Sequence, residues 1–264
     1  MSNTPYITTL FEKAQSFVAE TDQLIRTKFN EVFSTESKSD SSLVTEVDLA
    51  VEKLLRKRIQ EHFPDHGIVG EEGDDINSDA EYQWILDPID GTQSFFHRVP
   101  TFGTLLAVNK GGQNIVGIIS HPALSETYAA AKGLGCFCNG QKITIVDTGT
   151  DSIDANEIIT LCSRKQWLPT KQEHLFDSFW QKHNYFRIYY DCFSLSRAVA
   201  GQIGCAVEMN VKLWDIAPCQ VLIEEAGGSF FKLSEIDLGS GLKGHSVILG
   251  KPSVVKVIKN WFGK

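Results

Sequence analysis

An apolar run, Trp84-Ile85-Leu86, delivers two aspartates three residues apart in Asp87-Pro88-Ile89-Asp90-Gly91-Thr92. Pro88 stiffens the turn, and Gly91 permits a backbone conformation that other residues resist. Such a loop at a strand end can aim both carboxylates and the Ile89 carbonyl at one point. Hard cations take that donor set, several oxygens with charge among them. The amides of Gly91 and Thr92 can then face a phosphate at the start of a following helix. Asp-Pro and Asp-Gly also occur in ordinary surface turns, so the hexapeptide alone leaves that reading open. Two further acidic stations change the balance. Gly70-Glu71-Glu72-Gly73 follows a short apolar run, and Leu213-Trp214-Asp215-Ile216-Ala217 opens a helical stretch that ends in Glu224-Glu225-Ala226-Gly227-Gly228. Singly, a solvated turn explains the first and a plain N-cap at Asp215 the second. Together, three acidic stations at element ends are better explained by a shared metal centre.

The elements that must position these stations follow from periodicity. Leu10, Ala14, Phe17, Thr21, Leu24 and Ile25 recur at helical spacing, which predicts a helix over 6–29. Residues 34–42 are polar and read as a loop. A second helix carries Val47, Val51, Leu54, Leu55 and Ile59 on one face, and Thr45 with Asp48 forms a T-x-x-D start resembling a capping box. Strands are expected at 67–70 and 82–86, a hairpin at 103–109 and 114–120, and a further strand at 127–131. In the second half, strands are expected at 157–162, 186–190, 203–208, 229–232 and 246–249. Helices are expected near 171–182, 194–201, 215–226 and 252–262. The acidic stretch 144–156 marks a boundary between two halves, 1–150 and 151–264. Strands clustered first, then alternating with helices, imply α+β sheets layered with helices.

Composition narrows the function. The 264 residues are 42% hydrophobic and 22% charged, which excludes wholesale disorder. The net charge of −8 argues against a broad basic nucleic-acid-binding face. No run approaches about 18 uninterrupted apolar residues, so no membrane partner is expected, and the first residues do not read as a signal peptide. Cys136, Cys138, Cys162, Cys192, Cys205 and Cys219 sit mostly beside apolar or small residues, and the C-x-C spacing is not that of a zinc ribbon. Reduced core thiols and a cytoplasmic location follow as expectations. A nucleophile elbow of the G-x-S-x-G type is missing, and no cysteine has an obvious histidine partner.

Gly70-Glu71-Glu72, Asp87-Pro88-Ile89-Asp90-Gly91-Thr92 and Trp214-Asp215-Ile216-Ala217 resemble, in order and approximate separation, the three signatures of the inositol monophosphatase family. Leu43-Val44-Thr45-Glu46-Val47-Asp48 adds that family's V-T-x-x-D element, with Lys38 upstream, and the resemblance spans roughly 6–262. It implies a layered αβαβα sandwich of the inositol-monophosphatase/fructose-bisphosphatase kind, commonly a homodimer. It implies Mg²⁺ as cofactor, held by Glu71, Asp87, the Ile89 carbonyl, Asp90 and Asp215. Gly91 and Thr92 would hold phosphate through their amides. Thr92, backed by Asp48, would position and deprotonate the attacking water, with Glu71 also in the catalytic group. The electrostatics agree: a phosphate monoester carries about two negative charges, and an acidic protein repels it unless metal ions intervene. One departure stands out, because Pro218-Cys219 replaces the family's usual A-G and puts local packing in question.

The substrate is a small phosphate ester whose alcohol is less legible. Phe96-His97-Arg98-Val99-Pro100 resembles the inositol-phosphatase version of the motif's tail, whereas Phe102-Gly103-Thr104-Leu105-Leu106 and Asp191-Cys192 resemble the histidinol-phosphate phosphatase branch. Asp191 is also readable as a helix-start residue, and Arg98 as a surface charge near a dimer contact. Glu208, seven residues before Asp215, falls where the family often has an acidic substrate contact. The reading leans to inositol monophosphate, because the Phe95–Pro100 stretch adjoins the catalytic motif. Histidinol phosphate is the alternative, and a non-catalytic metal- and phosphate-binding regulator is the competing class. Turnover is expected to require Mg²⁺, to stop with chelator and, by the resemblance, to be inhibited by Li⁺. Phosphate release that continues in excess EDTA overturns the metal reading.

Overall fold

The computed structural model describes residues 4–37, 43–149, 152–239 and 241–264. Lys38 lies outside them. The first helix, α1 (Thr4–Phe29), buries Leu10, Ala14, Phe17, Val18 and Ile25 along one stripe. Strands β1 (Thr35–Ser37) and β2 (Leu43–Thr45) pair antiparallel before α2 (Glu46–His62). The T-x-x-D start of α2 is a true capping box. Thr45 Oγ1 accepts from the Val47 and Asp48 amides, and the Asp48 carboxylate accepts from Thr45 N.

A seven-stranded sheet follows in simple sequence order: β3 (Gly67–Gly70), β4 (Tyr82–Asp90), β5 (Gly103–Lys110), β6 (Gln113–His121), β7 (Glu126–Ala131), β8 (Gly135–Cys138) and β9 (Gln141–Ile143). Only β3 and β4 pair in parallel. The last hairpin was not anticipated, although its signal was present. Asn139 and Gly140 both take positive φ, as a two-residue Asn-Gly hairpin turn requires. A second sheet has the order β11-β10-β12-β14-β13, from β10 (Ile159–Leu161), β11 (Phe186–Arg187), β12 (Cys205–Val211), β13 (Ser229–Gly239) and β14 (Leu242–Gly250).

Alternating side chains sort the sheets into layers. Leu106, Ile118 and Ala129 pack with α1 and α2. Their neighbours Leu105, Ile119 and Ala130 pack instead with α6 (Asp191–Val199) and α8 (Cys219–Glu225), which also contact Ala206, Val247 and Leu249 of the second sheet. Cys205, Val207 and Ile248 face the other way, onto α4 (Arg164–Trp167), α5 (Glu173–Lys182) and α9 (Pro252–Trp261). The result is the expected αβαβα sandwich. Among the described residues, no helix is long and apolar enough to cross a membrane.

The expected helix over 215–226 is two pieces, α7 (Leu213–Ile216) and α8. Pro218 has no N–H to return to the preceding turn, so the first piece closes with Ala217 N on Leu213 O and the second opens with Leu222 N on Pro218 O. The close packing questioned at Cys219 is supplied from the sheet. Cys219 is fully buried, and a Cβ on Gly117 of β6 would stand 2.5 Å from Pro218 O. At the far end of α8, Glu225 accepts from the amides of Gly133 and Gly135 at 2.7 and 2.8 Å, tying the helix to the β7–β8 turn. Charge-assisted bonds of this kind are worth about 1.5–3 kcal/mol each at most. Glu225→Ala is therefore expected to lower unfolding stability by roughly 1–3 kcal/mol with the catalytic residues untouched. An unchanged denaturation midpoint shows that water replaces the carboxylate without cost.

Candidate metal centre

Residues three apart on a regular strand point to opposite faces. Asp87 and Asp90 escape this because β4, which runs past the expected end at 86, carries a bulge. Asp87 pairs with Leu105 and Asp90 with Gly103, so three steps on β4 match two on β5. The extra residue reverses the parity and turns both carboxylates to one side. Thr104 Oγ1 donates to the Pro88 carbonyl at 2.8 Å, satisfying an acceptor that the bulge frees from the ladder. Gly91 then takes φ 82° as the N-cap of α3 (Thr92–Phe96). A side chain there would collide with the Asp191 carboxyl, so glycine is required twice over.

Asp215 arrives at α7, where Trp214 and Ala217 pack against Val69, Ile85 and Ala107 of the seven-stranded sheet. It is not the N-cap of α7 but its third residue, reaching back to accept from Lys212 N at 2.7 Å. One carboxylate oxygen from each of Asp87, Asp90 and Asp215 lies within 4.8 Å of the others. Asp87 is 1% exposed, and its Oδ1 has no hydrogen-bond partner. A buried carboxylate oxygen left so among other acids is costly unless a cation meets it. The donor set is all oxygen and mostly charged, which fits a hard divalent ion. Glu71 stands outside the 4.8 Å group. It is half-buried on the loop after β3, where its N–H bonds Leu86 O, and its charge still raises both Asp87 and Asp215. Glu52 and Arg56 of α2 were not anticipated. Glu52 accepts from the amides of Glu72 and Gly73, and Arg56 donates to the carbonyls of Gly73 and Asp74, fixing the Glu71 loop. In the sequence they read only as an i,i+4 ion pair.

Thr92 Oγ1 donates to Asp48 Oδ1 at 3.0 Å and lies 3.2 Å from Ile89 O. Asp48 is buried, which raises its pKa, while bonds from Thr45 and Thr92 offset part of the shift. A cavity of about 220 Å³ gathers Asp90, Asp191, Glu208 and Asp215, with Tyr189, Tyr190 and Ser163 at its walls. Asp191 holds φ 56° at the start of α6 and accepts from Thr101 Oγ1 at 2.8 Å. The next amide, Cys192 N, donates to Asp90 Oδ2. Glu208 is 9% exposed and accepts from Ser194 Oγ at 3.0 Å. Arg98 is not in this cavity. Its guanidinium donates to the Phe29 and Glu31 carbonyls and lies over Phe33, so it closes the end of α1.

Burial first, then mutual repulsion, pushes Asp87 and Asp90 well up, and Asp215 to about 7. Burial likewise raises Glu208 to about 8, against the bond from Ser194. The ordinary values are 3.8 and 4.5. Groups raised on folding favour the native state below their unfolded values and lose that advantage as pH rises through the folded ones. Chelator-treated protein is therefore expected to lose melting temperature between about pH 5 and about pH 8, and Asp215→Asn to flatten that decline. A metal-free melting temperature that is constant or rises across the window overturns this account.

A sequence profile of the inositol monophosphatase family matches residues 7–255. A histidinol-phosphatase of Chlorobaculum parvum is 33% identical over 225 residues, covering 84% of this chain and 85% of the relative. An inositol-1-monophosphatase of Bacillus subtilis is 30% identical over 263 residues, covering 95% of each. The solved inositol monophosphatase from Anabaena superimposes with a TM-score of 0.81 at 22% identity, over 98% of this chain and 96% of that one, and so shares the fold. With its signatures assembled around one acidic centre, the chain belongs to the inositol monophosphatase family of phosphoric monoester hydrolases.

Proposed function

We propose that the protein hydrolyses a small alcohol phosphomonoester with Mg²⁺, and that the alcohol carries a cationic amine, as histidinol phosphate does. The observation that carries this reading is the cavity shared by Asp90, Asp191, Glu208 and Asp215. Asp87, Asp90, Asp215, Glu71 and the Ile89 carbonyl would hold the cation. Bound there, the ion neutralises the phosphoryl oxygens and acidifies a water. Gly91 and Thr92 present their amides to the phosphate. Thr92 Oγ1 gives its proton to Asp48 Oδ1 and thus keeps a lone pair for a proton of the attacking water. With Asp90 and Asp215 given to the cation, Asp191 and Glu208 remain to face the alcohol.

Inositol monophosphate is the second reading, supported by the Bacillus subtilis relative. Neutral hydroxyls can also donate to Asp191 and Glu208. Arg98, which favoured this reading in the sequence, is committed to α1. Family resemblance further supports Li⁺ inhibition and a homodimer, the net charge of −8 supports no nucleic-acid partner, the free cysteines support a cytoplasmic location, and the acidic stretch 144–156 supports a working division into halves 1–150 and 151–264.

Phosphate release from a panel of small phosphomonoesters tests the proposal, run with wild type and Asp191→Asn. An amide still bonds hydroxyls but loses the charge. Histidinol-phosphate hydrolysis is expected to fall about tenfold or more, with inositol-1-phosphate hydrolysis nearly unchanged. Equal effects on both substrates assign Asp191 to the fold, and a wild-type preference for inositol phosphate selects the second reading.

A further inference from the structure

His121 ends β6 and is fully buried, with the start of β5 on one side of its ring and α6 on the other. Nδ1 lies 3.1 Å from Phe102 O, and Nε2 lies 2.9 Å from Ser196 Oγ. A carbonyl only accepts, so Nδ1 carries the proton and Nε2 keeps a bare lone pair. Burial holds the pKa of His121 down at about 4, against the bond to Phe102 O, so the ring is neutral at ordinary pH. Ser196 Oγ also lies 3.0 Å from Phe193 O. Its proton goes to the ring, because a buried nitrogen left bare is costly, whereas Phe193 O is served by the ladder of α6.

The two groups the ring joins belong to the two pieces of chain that meet at Asp191. Thr101, beside Phe102, donates from Oγ1 to Asp191 Oδ2 at 2.8 Å. Asp191 opens the helix that carries Ser196. The pieces are pressed together. A Cβ on Gly103 would stand 2.7 Å from Cys192 Sγ and 3.2 Å from His121 Nδ1. Cys192 Sγ itself lies 3.9 Å from both Thr101 O and His121 Nδ1. The N-cap of α6, Tyr190, makes no side-chain capping bond, and Asp191 holds φ 56°. A non-glycine residue keeps that left-handed conformation only where its surroundings over-determine it. Here those surroundings are Thr101 on one side and the Phe102–His121–Ser196 bridge on the other.

We propose that His121 is a positioning residue, whose ring ties the Thr101–Phe102 segment to α6 and so aims the Asp191 carboxylate at the alcohol. The inference rests on the reading of Asp191 as an acid that faces the alcohol. His121 does not line the cavity, whereas Asp191, Cys192 and Leu195 do, so its effect passes through α6. An apolar ring would fill the same space and bond neither side. A protonated ring would have no lone pair for Ser196.

Two variants loosen the bridge from different ends. His121→Asn keeps a donor where Nδ1 stood and has nothing where Nε2 stood. Ser196→Ala leaves the ring and removes its donor. In both, the ratio of kcat/KM for histidinol phosphate to that for inositol-1-phosphate is expected to fall about three- to tenfold, the worth of one hydrogen bond. In an Asp191→Asn background the further fall is expected to stay under about twofold, because the charge to be aimed is already gone. A purely structural role lowers both substrates alike and leaves the ratio unmoved, which overturns the proposal. So does a fall that persists undiminished in Asp191→Asn. The carboxyl ¹³C signal of Asp191, identified by its loss in Asp191→Asn, is expected to shift in both variants. Where wild type prefers inositol phosphate, the alcohol reading fails and this signal alone decides the positioning. A shift then supports it, and an unmoved signal overturns it. Ser196→Ala decides where His121→Asn fails to fold.

Discussion

Mutual repulsion among buried carboxylates is the constraint the rest of this structure answers. Asp87, Asp90 and Asp215 are brought within a few ångströms, with Glu71 close enough to raise two of them. No flexible loop would hold such a group together, because it would relax into water. Here Asp87 and Asp90 are fixed by a bulge at the end of a central strand, and Asp215 by a short helix docked on the same sheet. The Glu71 loop is held by Glu52 and Arg56 from α2. The four acids thus come from three rigid supports, and the sandwich keeps them from moving apart. Ordinary side-chain packing in three core clusters supplies that rigidity.

The pattern of hydrogen bonds separates the acids by task. Asp90 gives one oxygen to Cys192 N, and Asp215 gives one to Lys212 N. A backbone N–H favours the anionic form and fixes the carboxylate's orientation, while the second oxygen stays available. Asp48 is different. It accepts from Thr45 N, Thr45 Oγ1 and Thr92 Oγ1, so it is satisfied within the protein. Asp87 is the converse case, with a buried oxygen that nothing in the chain meets. The acid that caps α2 therefore orients Thr92, and the acid at the bottom of the group waits for a ligand.

Much of this was legible. The elements with strong periodicity lie close to where the sequence placed them, and the acidic stations lie at their ends. What sequence could not show was parity. Nothing in Asp87-Pro88-Ile89-Asp90 says that the strand continues through it with a bulge, and without the bulge the two carboxylates would diverge. Pro218 falls inside the helix expected over 215–226 and divides it, and the packing beside it depends on Gly117, far earlier in the chain. Arg98 read as a surface or substrate charge because its real partners are backbone carbonyls, which carry no side-chain signature. The hairpin at Asn139-Gly140 was visible by turn chemistry alone, but its strands are short and only partly buried.

The two unpartnered buried acids, Asp87 and Asp22, invite a last comparison. Both sit against the same sheet, on opposite faces, and burial raises both. Around Asp87 the neighbours are other acids, so a single positive charge would leave the group strongly anionic, and a divalent ion is the natural complement. Around Asp22 the neighbours are Ser120, whose hydroxyl donates to it, and Arg26, whose positive charge draws it down, so the acid stands without other acids beside it. The same residue type, with the same missing partner, thus belongs to a cation-ready cluster in one place and stands as a lone buried acid in the other. The difference comes from what is gathered around each acid, and the alternation of side chains along β4 to β7 decides which residues face which layer.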